Sequence, residues 1–192
     1  WCDMKVRIGT RGSALALAQA EWVRRKLEER YPGIKVETVT IKTSGDRFLS
    51  TPIHAIGGKG IFVKEIEEAL LRKEIDLAVH SMKDLPTETP AGLTLAAVPE
   101  REDPRDVLVT LNHRSLKDLP SGARIGTGSL RRKAQILHYR PELSILPIRG
   151  NIDTRLKKLE RGEVDALVMA AAGLGRLECG QRISEYLSPD IC

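Results

Sequence analysis

The chain has 192 residues, 41% of them hydrophobic and 30% charged, with a formal net charge of +5. That is enough apolar material for one large domain or two modest ones, and it argues against disorder. The longest uncharged apolar stretch, Ala166 to Gly175, is about half the roughly 20 residues a membrane-spanning helix needs. No secretion signal is visible. Trp1, Cys2 and Asp3 precede Met4 and look more like a cloning remnant than a native start. The positive balance calls for an anionic partner, yet aromatics are only 4%, too few and too scattered for a base-stacking nucleic-acid surface. Cys2, Cys179 and Cys192 lie far apart without zinc-site spacing, as do His54, His113 and His138, so no metal site is expected. An odd cysteine count fits a reducing cytoplasm.

In chain order, Val6–Thr10 reads as a strand, and Ser13 as the cap of a helix to about Arg30 with Leu15, Ala18, Trp22 and Leu27 on one face. Tyr31-Pro32-Gly33 stops that helix and Ile34–Lys42 returns as a strand. Residues 43–60 form a long glycine-bearing loop, followed by a helix from Ile61 to Arg72 and a strand Ile75–His80.

The second half echoes the first. Arg7-Ile8-Gly9-Thr10 reappears as Arg124-Ile125-Gly126-Thr127, Tyr31-Pro32 as Tyr139-Arg140-Pro141, and Glu74-Ile75-Asp76 as Glu163-Val164-Asp165. Strands are expected at Ala123–Thr127, Leu143–Ile148 and Ala166–Met169. Each half thus reads β-α-β-α-β, which implies a mainly parallel sheet with crossover helices. The charged, proline-flanked segment 99–104 is the expected hinge, giving domains at 4–99 and 100–192.

In such sheets ligands bind beyond the carboxyl ends of the strands, where helix N-termini offer free N–H groups. The informative residues fall there: Arg11 and Ser13; Gly128, Ser129, Arg131 and Arg132; Arg149, Gly150 and Arg155; and Arg176. Arginine forks suit carboxylates or phosphates. Surface salt bridges are the plainer reading for any one of these arginines. Lys83-Asp84 leaves another strand end and suits a charge pair for acid–base work; the alternative is a turn that Asp84 caps. His80 is expected to pack beneath the site. Gly57-Gly58-Lys59-Gly60 lacks the Ser or Thr that ends a phosphate loop and reads better as a lid carrying Lys59.

These motifs resemble those of the porphobilinogen deaminase (hydroxymethylbilane synthase) family. The matching pieces are Ile8–Ala16, Lys42–Asp46, Gly58–Phe62, Ala78–Pro86, Gly126–Arg132 and Arg149–Arg155. The resemblance implies an α/β fold of two similar lobes with mainly parallel, mixed sheets, like type II periplasmic binding proteins, with a cleft between the lobes. It implies a transferase of haem biosynthesis that deaminates porphobilinogen and joins four units head to tail into hydroxymethylbilane, growing the oligopyrrole on a dipyrromethane cofactor. By motif match Asp84 is catalytic, and it assists proton transfers and stabilises the charge that develops as ammonia leaves and an azafulvene forms. Ser13, Ser81, Lys83, Asp84, Thr127, Ser129, Arg131, Arg132 and Gly150 hold the cofactor. Arg11, Arg149, Arg155 and Arg176 take substrate carboxylates, with Lys59 in the lid loop of 43–60 and Phe62 just after it. A cytoplasmic monomer is implied, without nucleic-acid or membrane partners. The family continues past the position of Cys192 into a third domain whose cysteine anchors the cofactor. The chain is therefore expected to be a truncated form with weak or absent turnover. The rival expectation is a two-lobed module that binds a small polycarboxylate without chemistry.

Overall fold

The computed structural model of the chain describes residues 4–47 and 63–192. Backbone contacts divide the chain into two compact units, Trp1–Pro99 and Glu100–Cys192.

In the first unit the elements run β1 (Lys5–Thr10), α1 (Ala14–Arg30), β2 (Lys35–Thr40), α2 (Ser44–Arg47), α3 (Lys64–Leu71) and β3 (Leu77–Ala78). The sheet order is β2-β1-β3 and both pairings are parallel, so each connection must be a crossover, and α1 supplies the first of them. Ser13 caps α1, its Oγ accepting the Ala16 N–H at 3.3 Å. The face that α1 buries differs from the expected one: Ala20 is fully buried, whereas Trp22 is 40% exposed. Residues 14–18 alternate Ala and Leu, so they are apolar all round and their periodicity does not select a side; the small Ala20 lets the helix approach the sheet. At Gly9 a Cβ would lie 2.2 Å from Ile75 Cδ1, so the missing side chain lets Ile75 pack over the strand.

The second unit contains β4 (Asp106–Val109), β5 (Arg124–Gly126), α4 (Leu130–Tyr139), β6 (Ser144–Leu146), α5 (Ile152–Glu160), β7 (Ala166–Ala170), α6 (Ala171–Arg176) and β8 (Glu185–Tyr186). Its sheet order is β6-β5-β7-β4-β8. β5, β6 and β7 are parallel and repeat the β1, β2, β3 arrangement, while β4 runs antiparallel to both β7 and β8. The sheet is mixed. Alternating side chains divide the core: Leu108, Ile125 and Val168 pack with Ile136 of α4 on one face, and Val107, Leu167 and Met169 with Leu156 and Leu159 of α5 on the other.

The repeated sequence pieces have a shared geometric cause. Arg7 donates from its backbone N, Nε and Nη2 to Asp76 at 2.8, 3.0 and 2.9 Å. Arg124 makes the same three bonds to Asp165 at 2.8, 3.0 and 2.8 Å. The arginine near the start of β1 or β5 is thereby locked to the residue that leads into the neighbouring β3 or β7, at the sheet end away from the candidate site.

Candidate functional site

At the carboxyl end of β5, the buried Thr127 turns its Oγ1 to accept the Ser129 N–H at 3.2 Å, and Ser129 Oγ accepts the Arg132 N–H at 3.4 Å. These bonds fix the turn into α4 and leave its first N–H groups facing outward. A Cβ on Gly128 would lie 2.9 Å from the Ile148 carbonyl oxygen, so only glycine lets this turn lie against the end of β6. After β6 come Arg149 and Gly150, whose φ of +106° suits glycine alone. Arg155, one turn into α5, donates from Nε to the Gly150 carbonyl at 2.8 Å.

Antiparallel β4 begins at this same end, because Asp106 pairs with Ala170 of β7. The Asp106 carboxylate, 4% exposed, receives Arg131 Nη2 on one oxygen and Arg132 Nη2 on the other, each at 2.6 Å. Burial alone would raise the Asp106 carboxyl, but the bonds from Arg132 and Arg131 outweigh it and hold it below the usual carboxylate range. Arg132 Nη1 also reaches the Val168 carbonyl at 3.3 Å, while its Nε is buried without a partner. Arg155 is pushed below the ordinary arginine value by burial first, then by Arg132 and Arg149. Arg131, Arg132 and Arg155 thus stand at one end of this sheet. Arg176 closes α6 and makes no ion pair among the described residues. The Cys192 thiol donates to Asp106 at 3.4 Å, and burial and that carboxylate push it up to about 11.

On the first unit, Thr10 Oγ1 donates to the Ala16 carbonyl at 3.1 Å and ties the end of β1 to α1. Beside it a shallow pocket of about 40 Å³ is lined by Arg11, Ser13, Leu15, Ala16, Gln19, Val79, His80, Ser81 and Asp84. The Gln19 amide donates to Ser81 Oγ at 3.0 Å. Asp84 ends a 3-10 turn, Met82–Asp84, with its N–H on the Ser81 carbonyl at 2.9 Å. The expected Lys83–Asp84 charge pair is not formed among the described residues; both side chains are exposed, and successive residues of a 3-10 turn point about 120° apart. Nor does Asp84 cap the turn; Ser81 holds the cap position. His80 is half-buried in the pocket wall and held below the ordinary imidazole value, by burial first, with Arg11 adding to the effect and Asp84 opposing it.

Arg11, Ser13, Ser81 and Asp84 thus share one pocket, with Lys83 on the same turn but outside the lining. Thr127, Ser129, Arg131, Arg132, Arg149, Gly150 and Arg155 gather at the strand ends of the second unit. Lys59 and Phe62, the 43–60 lid beyond Arg47, His54 and Cys2 lie outside the described residues. Asp106 and Gln19 carry no expectation from the sequence. The first is an acid at the head of an apolar run, Asp106-Val107-Leu108-Val109, which is the signal that would have found it.

Two α/β units, each with parallel strands joined by crossover helices, define a binding-protein type of fold. Among solved structures, the methionine-binding protein MetQ shares it, with a TM-score of 0.51 at 16% identity over 96% of this chain and 80% of that one. Residues 6–192 match the family described as porphobilinogen deaminase, dipyromethane cofactor binding domain. The chain belongs to the porphobilinogen deaminase family. It is 59% identical over 186 residues to the porphobilinogen deaminase of Syntrophotalea carbinolica, covering 97% of this chain and 59% of that protein. It is 58% identical over 189 residues to that of Geobacter metallireducens, covering 97% and 58%. The chain spans about three fifths of the length of these curated relatives.

Proposed function

We propose that this chain supplies cofactor- and substrate-binding residues of a porphobilinogen deaminase, which handle a growing oligopyrrole. The observation that carries this reading is the crowding of Arg155 by Arg132 and Arg149 around the strand ends of the second unit. Each pyrrole of the chain bears an acetate and a propionate, and bidentate guanidinium groups match such carboxylates. Ser13, Ser81, Lys83, Thr127, Ser129, Arg131, Arg132 and the Gly150 backbone hold the dipyrromethane. The buried, unpartnered Arg132 Nε fits a donor waiting for such an acceptor. When bound, that group supplies the free pyrrole carbon to which the first substrate is joined. Arg11, Arg149, Arg155 and Arg176 take substrate carboxylates. Asp84 accepts pyrrole N–H bonds and stabilises the positive charge that develops as ammonia leaves.

Cys192 is buried with its thiol raised to about 11, so it is a poor nucleophile, and Cys179 is half-buried. In an active deaminase carrying this sequence, Asp84→Asn keeps the fold and nearly abolishes hydroxymethylbilane formation; wild-type turnover in that variant sinks the catalytic assignment. A module that only binds would show no turnover in either form.

A further inference from the structure

The sequence offers no role for His80 beyond packing, but its surroundings in the first unit do. It lies in the wall of the pocket that Asp84, Arg11, Gln19 and Ser81 share, it is half-buried, and neither of its ring nitrogens has a hydrogen-bond partner among the described residues. The charged groups that face it are Arg11, from the turn after β1, and Asp84, from the 3-10 turn. The α1 N-terminus adds the positive end of its dipole. Lys83 is on the same turn as Asp84 but outside the pocket lining. Among the described residues, Arg11 and the helix end oppose an imidazolium here, and Asp84 favours one.

We propose that His80 is a positioning residue that sets the acid limb of ligand binding: neutral, it leaves the Asp84 carboxylate open to the ligand, and protonated, it pairs with that carboxylate and withdraws it. The inference rests on the assignment of Asp84 to the ligand. Protonation adds one charge to the pocket wall and transfers no other group; the proton comes from solvent and returns there. The Asp84 side chain is exposed, makes no side-chain hydrogen bond or ion pair among the described residues, and lines the same pocket as the ring.

Two measurements test this on the chain as it stands. Calorimetric affinity for porphobilinogen, followed from pH 8 to pH 5, should fall about tenfold by one unit below the His80 midpoint, whereas His80→Gln should flatten that fall to less than about threefold. Parallel pH profiles overturn the proposal. Independently, the His80 Cε1 proton signal, assigned by its loss in His80→Gln or in His80→Asn should the first variant not fold, is titrated by NMR. Asp84→Asn removes the one favourable partner and should lower the His80 midpoint. An unchanged midpoint overturns the coupling whether or not the pyrrole binds. Absence of porphobilinogen binding at every pH counts instead against the functional reading itself.

Discussion

The Asp106 carboxylate is shared between Arg131 and Arg132, one oxygen to each guanidinium at 2.6 Å. It is the buried anion that lets these two arginines stand side by side. Asp106→Asn keeps the shape and removes the charge. Removing one partner of a buried pair costs about 3–5 kcal/mol. Arg131 is 56% exposed, which discounts its share, so a loss of about 2–3 kcal/mol is expected in urea denaturation. A loss below about 0.5 kcal/mol would show that the arginines are held by other contacts.

The same carboxylate gives the second unit an acid-side weakness. Its folded value lies below the ordinary 3.8, so the stabilisation is present above that value and is lost as pH falls through the folded one. Wild-type stability should drop more steeply below pH 4 than that of Asp106→Asn, as read from denaturation midpoints along a pH series.

Gly150 is confined by backbone geometry. With φ at +106° and the β-carbon position 2.7 Å from Thr154 Cγ2, Gly150→Ala is strained by about 1–3 kcal/mol. It also shifts the carbonyl that anchors Arg155. Loss of stability with weakened pyrrole binding is the expected pair of outcomes, measured by denaturation and calorimetry.

Thiol reactivity separates the two described cysteines. Cys192 is buried, and its thiol is raised to about 11 by burial and then by Asp106, while Cys179 is half-buried. Iodoacetamide at pH 8, followed by peptide mass spectrometry, should label Cys179 at least about tenfold faster. Equal rates would mean that Cys192 is open to solvent.

Much of the parallel framework could be read before any coordinates. The Arg7 and Arg124 echoes, paired with Asp76 and Asp165, are visible in sequence because the same three bonds require the same residue types in the same order. Ser13 and Ser129 announce their helices because a cap is a local device. The acid at the head of the run Asp106–Val109 is visible locally, but its role is not, because that role depends on antiparallel pairing with the distant β7. Gln19 was hidden by the all-round apolar start of α1, and Lys83 beside Asp84 shows that adjacency in sequence is not contact in space.

The central claim, that the arginine-rich strand ends bind a pyrrole carrying carboxylates, is tested most directly by calorimetry of porphobilinogen into this chain and its Arg155→Gln variant. Arg155 is already disfavoured as a cation by burial and its arginine neighbours, so the account predicts salt-sensitive binding to the wild type and at least about tenfold weaker binding to the variant. Equal affinity in the two proteins, or no heat in either, would contradict it.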